Sequence, residues 1–261
     1  MSFITVKNLW KEYGKTVVLE NLNLDVGQGE FCTLVGASGC GKSTFLKMLL
    51  GQEQPSRGRL TLQDEPFPAE PDRNRGIVFQ RYSVFPHLSV RHNVLMGLEL
   101  EQKPFLGKLF GKARREALAR VDAMLESVGL GDAAEKWPHQ LSGGMQQRLA
   151  IAQSFIMKPR VLLLDEPFGA LDPGIRTDMH DLLLRLWKET GVTIFMVTHD
   201  LKEGFYLGTR LMVFDKVRRD PHDPEAFGAT ITYDLPIGKI DTGIFDTIEE
   251  SVNQTARHQA A

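Results

Sequence analysis

Residues 31–50 read FCTLVGASGCGKSTFLKMLL, and the texture of the chain changes twice within them. Phe31 to Val35 is a short apolar, β-favouring run. Gly36 to Gly41 is rich in glycine, and Ser43 to Leu50 favours a helix that Gly51 closes. Strand, glycine loop and helix make the first half of a βαβ unit, so the expected class is α/β with a mostly parallel sheet. The loop itself, GASGCGKST from Gly36 to Thr44, fits G-x-x-x-x-G-K-[ST] and lies between strand and helix, as its mechanism requires. Gly36, Gly39 and Gly41 carry no Cβ, so backbone N–H groups from Gly36 through Ala37, Ser38 and Cys40 to Gly41 can curl around phosphate oxygens. The start of the helix adds partial positive charge at the same spot. Lys42 supplies a point charge for the outer phosphates, and Ser43, followed by Thr44, places a hydroxyl where Mg²⁺ would sit. The ligand expected at the loop carries β- and γ-phosphates with Mg²⁺.

Working outward, Ile77 to Phe79, Val161 to Leu164 and Thr193 to Val197 are nearly continuous apolar runs, as strands covered on both faces require. Phe3 to Leu9 and Leu19 to Val26 alternate instead, which predicts half-buried strands. The run VLLLDEP ends in two acids at the C-terminal edge of its strand, where open α/β sheets bind ligands. Neighbouring strand residues point to opposite sides, so Asp165 and Glu166 should not share a role. Asp165 is expected to hold Mg²⁺ through its water shell, and Glu166 to orient and polarise an attacking water. Lys112 to Val128 predicts a helix burying Ala117, Val121, Met124, Leu125 and Val128. Another helix starts near Gly143, and Pro173 to Thr190 spaces Met179, Leu182, Leu183, Leu186 and Trp187 along one face. The expected organisation is a single domain over 1–261. Its α/β core is 1–80 and 146–219, a helical subdomain is inserted at about 81–145, and 220–261 forms a C-terminal extension. The stretch from Asp220, rich in Pro, Gly and Asp, shows no usable period.

With 42% hydrophobic and 25% charged residues, the 261-residue chain has ordinary globular composition, which excludes a disordered or collagenous protein. The balance of 31 basic and 33 acidic residues argues against generic nucleic-acid binding. No run approaches a membrane span and the N-terminus has no signal-peptide core, so membrane association is expected only through partners. Two cysteines, Cys32 and Cys40, imply no disulfide framework. Cys40 lies beside a helix N-terminus, a position that favours the thiolate, so a lowered pKa is expected there, the alternative being an inert small residue that fits the turn; Cys32 is expected to be buried and slow to react.

Leu141 to Arg148 reads LSGGMQQR. Ser142 can cap a helix while Gly143 and Gly144 offer backbone N–H groups, which makes a second anion site that one phosphate loop does not need for itself. With LSGG in place the sequence resembles the nucleotide-binding subunit of ATP-binding cassette (ABC) transporters over nearly its whole length. That resemblance implies the phosphate-loop cassette fold, in which an antiparallel N-terminal β part accompanies the parallel core and the inserted helical subdomain. It also implies roles for further residues. Tyr13 matches the aromatic that stacks on adenine, and Gln80 the glutamine that senses Mg²⁺ and transported load. Leu171 and Asp172 match the loop between paired active sites, and His199 the switch residue on the γ-phosphate.

The resemblance further implies ATP hydrolysis, with Lys42, Glu166 and His199 catalytic and Ser43, Gln80 and Asp165 around the metal. Two cassettes, identical or related, would pair head to tail, each ATP lying between Lys42 of one and Ser142 to Gly144 of the other. Separate membrane permease subunits would receive the motion, with Phe85, Pro86 and His87 as candidate contacts, placing the chain on the cytoplasmic face of the cell membrane. The wording of the motifs is most similar to the bacterial nitrate/sulfonate/taurine importers, which implies a soluble substrate-binding protein as well. Too little chain follows His199 for the regulatory barrel of longer importer cassettes. A soluble ABC-type ATPase uncoupled from transport is the alternative. Its DNA-repair form needs a long coiled coil between phosphate loop and LSGG, and no sustained heptads occur there. The segment LEQKPFLGKLFGK, Leu100 to Lys112, departs from the family and mixes apolar with basic residues. It fits either a membrane or partner contact, or a hairpin packed on its own domain.

Overall fold

The computed structural model describes residues 2–79, 83–102, 107–218, 220, 222–223 and 225–239. In chain order its strands and helices are β1 (Ile4–Tyr13), β2 (Thr16–Val26), β3 (Phe31–Gly36), α1 (Lys42–Leu50), β4 (Arg57–Leu62), β5 (Glu65–Pro66) and β6 (Arg75–Val78). There follow α2 (Val90–Gln102), α3 (Gly111–Ser127), α4 (Gly143–Ile156), β7 (Val161–Asp165) and α5 (Pro173–Thr190). The last are β8 (Thr193–Val197), α6 (Leu201–Leu207), β9 (Arg210–Asp215) and β10 (Thr230–Pro236). Two compact units result. One takes its described residues from 1–72, 163–166 and 191–261, the other from 73–162 and 167–190.

The first unit contains an antiparallel sheet in the order β2-β1-β4-β5, with Val6 opposite Leu24 on one side and Leu60 on the other. Ile4, Val6, Leu9, Leu22, Leu24 and Val26 are among its buried residues, which accounts for the alternation. A second sheet runs β10-β9-β3-β8 and continues into the end of β7. There β3 pairs in parallel with both β8 and β9, and every residue of β3 and β8 is buried. That two-sided burial explains why those runs are nearly all apolar, the buried Thr33 hydroxyl donating to Gly204 O and the buried Thr193 hydroxyl accepting from Gly29 N–H. Helix α1 is keyed to this sheet by Phe45, whose ring lies 6.3 Å from that of Phe195 and 5.7 Å from that of Phe214.

Strand β10, in the region without a sequence period, pairs antiparallel with β9. It is held there by the Arg210 guanidinium forked onto Asp234 at 2.5 and 2.6 Å. The connector from β9 to β10 crosses the edge of β2. Val17 donates its N–H to Glu225, and Ala229 and the β2 backbone exchange two more bonds, Ala229 N–H to Val18 O and Glu20 N–H to Ala229 O.

The second unit holds β6, the first residues of β7 and helices α2 to α5. On α3 and its C-terminal cap, Ala117, Val121, Leu125 and the capping Val128 are buried and Met124 half-buried; on α5, Met179, Leu182, Leu183 and Leu186 are buried and Trp187 half-buried. Asn93, 2% exposed, bonds through its amide to the carbonyls of Phe85, Leu88 and Ser89, which pins the turn before α2. Glu99 on α2 accepts from Leu109 N–H and from Arg114, so Leu109 is packed down while Phe110 beside it stays 71% exposed. Residues 103–106 of that unusual segment lie outside the described residues.

Candidate nucleotide site

Three glycines of the phosphate loop have positive φ: 147° at Gly36, 78° at Gly39 and 94° at Gly41. A Cβ at Gly36 would stand 2.1 Å from the Phe214 carbonyl oxygen, and one at Gly41 2.6 Å from Leu19 Cδ2. Glycine is therefore required there by both backbone conformation and space. The loop delivers Lys42 as the first residue of α1, 6% exposed, with Nζ donating to Gly36 O at 2.8 Å and Ala37 O at 2.9 Å. An ammonium resting on loop carbonyls is already where outer phosphate oxygens would take over those bonds. Ser38, Gly39 and Ser43 face solvent, and Thr44 is half-buried.

Ser43 Oγ donates to Asp165 Oδ1 at 3.1 Å. Burial pushes the Asp165 carboxyl above the usual carboxylate value, and neighbouring Glu166 adds to this, while Ser43 and Lys42 pull the other way. A hydroxyl and one carboxylate are hard oxygen donors, the kind of partial shell Mg²⁺ takes when phosphates and waters complete it. Among the described residues no cluster of three or more His, Cys, Asp or Glu could hold a metal. Gln80, the other expected metal residue, lies outside the described residues.

Glu166 does not continue the strand. Its φ of 47° is a left-handed conformation that a non-glycine residue adopts at a cost of about 1–3 kcal/mol. Its N–H donates to Val197 O at 3.0 Å, which turns the side chain toward the end of β8, where Oε2 lies 3.4 Å from His199 Nδ1. The adjacent acids thus take different neighbours, Ser43 for one and His199 for the other. After His199, Asp200 caps α6 by accepting from the Lys202 and Glu203 N–H groups, and Thr198 donates to Glu203 at 2.5 Å. Asp200 and Glu203 position the histidine turn, and their D-x-x-E spacing was the available sequence signal. Tyr13, at the end of β1 and opposite Thr16, is 46% exposed.

In the second unit Ser142 caps α4, its Oγ accepting from Met145 N–H at 3.3 Å. Ser142 and Gly143 face solvent. Gly144 is buried, and a Cβ on it would meet Ile175 Cγ2 at 2.7 Å. Leu171 is buried and Asp172 exposed; Phe85, Pro86 and His87 are all exposed. The structure therefore brings Lys42, Ser43, Asp165, Glu166 and His199 together in one unit, whereas Ser142 to Gly144 belong to the other.

The expectation of a lowered Cys40 pKa is not met. Cys40 is 4% exposed, and burial raises its thiol pKa despite Lys42 Nζ at 3.6 Å. Desolvation of the thiolate outweighs the nearby cation and the helix end. Cys32 is fully buried and its thiol lies far above the ordinary value, as expected. At pH 7.5 a maleimide should therefore label both thiols of the native protein at least ~10-fold more slowly than in the urea-unfolded chain. Time-resolved mass spectrometry checks this, and equal native and unfolded rates at Cys40 would contradict its burial.

A family model described as ABC transporter matches residues 19–169. A spermidine/putrescine import ATP-binding protein, PotA, of Marinobacter nauticus is 43% identical over 81% of this chain, which spans 55% of that relative. An aliphatic sulfonates import ATP-binding protein, SsuB 1, of Rhizobium johnstonii is 40% identical over 90% of this chain and is spanned to 77%. Among solved structures, the dimeric post-hydrolysis state of the ATP-binding cassette MJ0796 bound to ADP and Pi has a TM-score of 0.69 and 29% identity, covering 90% of this chain and 98% of that one.

Proposed function

Since the chain belongs to the ABC transporter family, whose cassettes bind and hydrolyse ATP, we propose that it energises uptake of a small solute through separate permease subunits. The observation that carries the catalytic part is the divergence of two adjacent acids. Asp165 meets the Ser43 hydroxyl at 3.1 Å, and Glu166 is swung to His199 at 3.4 Å. In this reading Ser43 and Asp165 hold Mg²⁺, which neutralises phosphate charge when bound. Glu166 takes a proton from the attacking water, His199 donates toward the γ-phosphate oxygens, and Lys42 stabilises charge on them. Tyr13 stacks on the adenine. Ser142, Gly143 and Gly144 grip the γ-phosphate of the nucleotide held by a second cassette, so the site is complete only in a head-to-tail pair. The solvent-facing Ser142 and Gly143 and the dimeric cassette among the similar structures support that arrangement.

Two import ATP-binding relatives support uptake as the coupled process. The sulfonate relative agrees with the nitrate/sulfonate/taurine grouping, while the polyamine relative shows that several importer groups lie at similar distance. Among the described residues no helix is long and apolar enough to cross a membrane, so the reading assigns the crossing to permeases. The exposed Phe85–His87 turn, braced from beneath by Asn93, is the contact we assign to them on the cytoplasmic face, with a substrate-binding protein on the other. Affinity purification of the tagged chain from detergent-solubilised native membranes tests this. Multi-span permeases should co-purify, and Phe85→Ala/His87→Ala should lose them while still binding ATP. Quantitative recovery without any membrane protein would favour an uncoupled ATPase.

A further inference from the structure

Behind Tyr13 lies a cation that the catalytic site does not use. Lys11 is 8% exposed, and its Nζ sits 4.7 Å above the centre of the Tyr13 ring. It is fixed there by Glu53 Oε2 at 2.6 Å and the Gln54 carbonyl at 2.9 Å. Glu53, the ion-pair partner of Lys11, also lies near the Tyr13 hydroxyl, and its negative charge adds to burial in holding that phenol above its ordinary pKa. Glu53 is itself placed by α1: Gly51 ends that helix in a left-handed turn, and the N–H groups of Gln52 and Glu53 bond back to Lys47 O. The helix whose first turn carries the phosphate loop thus carries, at its other end, the brace of the aromatic.

We propose that Lys11 is a positioning residue that, held by Glu53, backs Tyr13 as a platform for a purine base; this rests on the reading of Tyr13 as the base-stacking residue. One ring face is covered by an ammonium, and the 46% exposure of Tyr13 leaves the other available. A cation on one face draws π-density toward itself and lessens the repulsion that a second π-system meets on the opposite face. Lys11 therefore acts on the base end of the nucleotide and not on its phosphates.

The discriminating probe is inorganic tripolyphosphate, which has phosphates and no base. In displacement of a fluorescent ATP analogue from the full chain, Lys11→Met and Lys11→Gln should each weaken ATP about 5-fold and leave tripolyphosphate unchanged. Lys11→Gln can still donate to the Gln54 carbonyl, so it serves if the Met variant folds poorly. Lys11→Arg, which keeps the charge over the ring, should return ATP affinity to within about twofold of wild type. Wild-type ATP affinity in both neutral variants overturns the proposal. Equal loss of ATP and tripolyphosphate does so too, as does a Lys11→Arg variant as weak as Lys11→Met. Tyr13→Ala separates the two levels: unchanged ATP binding in that variant removes the platform itself, whereas weakened binding there beside unaffected Lys11 variants removes only the role of Lys11.

Discussion

Glu166→Gln should lower ATP turnover at least ~10²-fold while nucleotide binding stays at the wild-type level. The substitution keeps shape and hydrogen-bonding capacity but removes the group able to take a proton from water. The phosphate contacts should survive it, because Lys42 is seated on the Gly36 and Ala37 carbonyls and Ser43 on Asp165. The left-handed turn at this residue is held by its N–H bond to Val197, which Gln retains. ATP should accordingly accumulate unhydrolysed between two closed cassettes. Single-turnover hydrolysis and size-exclusion chromatography with MgATP read both halves of this expectation. Near-normal turnover would take Glu166 out of the role and leave His199 as the next residue to replace.

Neither Lys42→Ala nor Ser142→Arg chains should hydrolyse ATP alone, yet mixing them should restore activity. Lys42→Ala removes the buried cation resting on the Gly36 and Ala37 carbonyls. Ser142→Arg removes the cap of α4 and puts a long side chain on a solvent-facing surface. In a head-to-tail pair, one site of the mixed dimer collects both defects and the other collects none. Random exchange makes about half the dimers mixed, so about a quarter of wild-type activity should return if sites fire independently. Proof of mixed dimers by native mass spectrometry, together with no recovered hydrolysis, would mean that the site is not shared in this way or that both must fire together.

Sequence alone delimited most of the elements buried on two faces, but Ile77–Phe79 was expected there as well, and the strand is Arg75–Val78 with Ile77 half-buried and Phe79 exposed. Phe31–Val35, Val161–Leu164 and Thr193–Val197 all lie in strands at those positions, and Pro173–Thr190 is a helix over the same residues. β10 escaped because most of its residues are half-exposed, so Thr230–Pro236 carries no clean alternation. The phosphate loop and the two acids were legible because their chemistry is local. The divergence of the acids rests on the positive φ at Glu166, which no residue pattern announces. Lys11, Glu53 and Tyr13 form a cluster joined across the length of α1, beyond the reach of local pattern. At Cys40 the helix-end argument gave the wrong sign because it counted field and omitted burial.

Beyond chemistry, the layout of the first unit sets an order of events on the ribosome. Phe31 donates its N–H to the Thr209 hydroxyl 178 residues away, and the β2 edge is sealed by Glu225 and Ala229. A nascent chain therefore emerges with its phosphate loop early and cannot complete the sheet beneath it until β9 and β10 have been made. The α2–α5 unit, nearly continuous in sequence, can consolidate first, so half of the protein waits on the other's synthesis. A stop near residue 205 would leave β3 without its β9 neighbour, exposing an apolar strand edge to other chains. Truncated products should then be found in aggregates and in chaperone complexes, while the intervening helical segment within them remains resistant to protease.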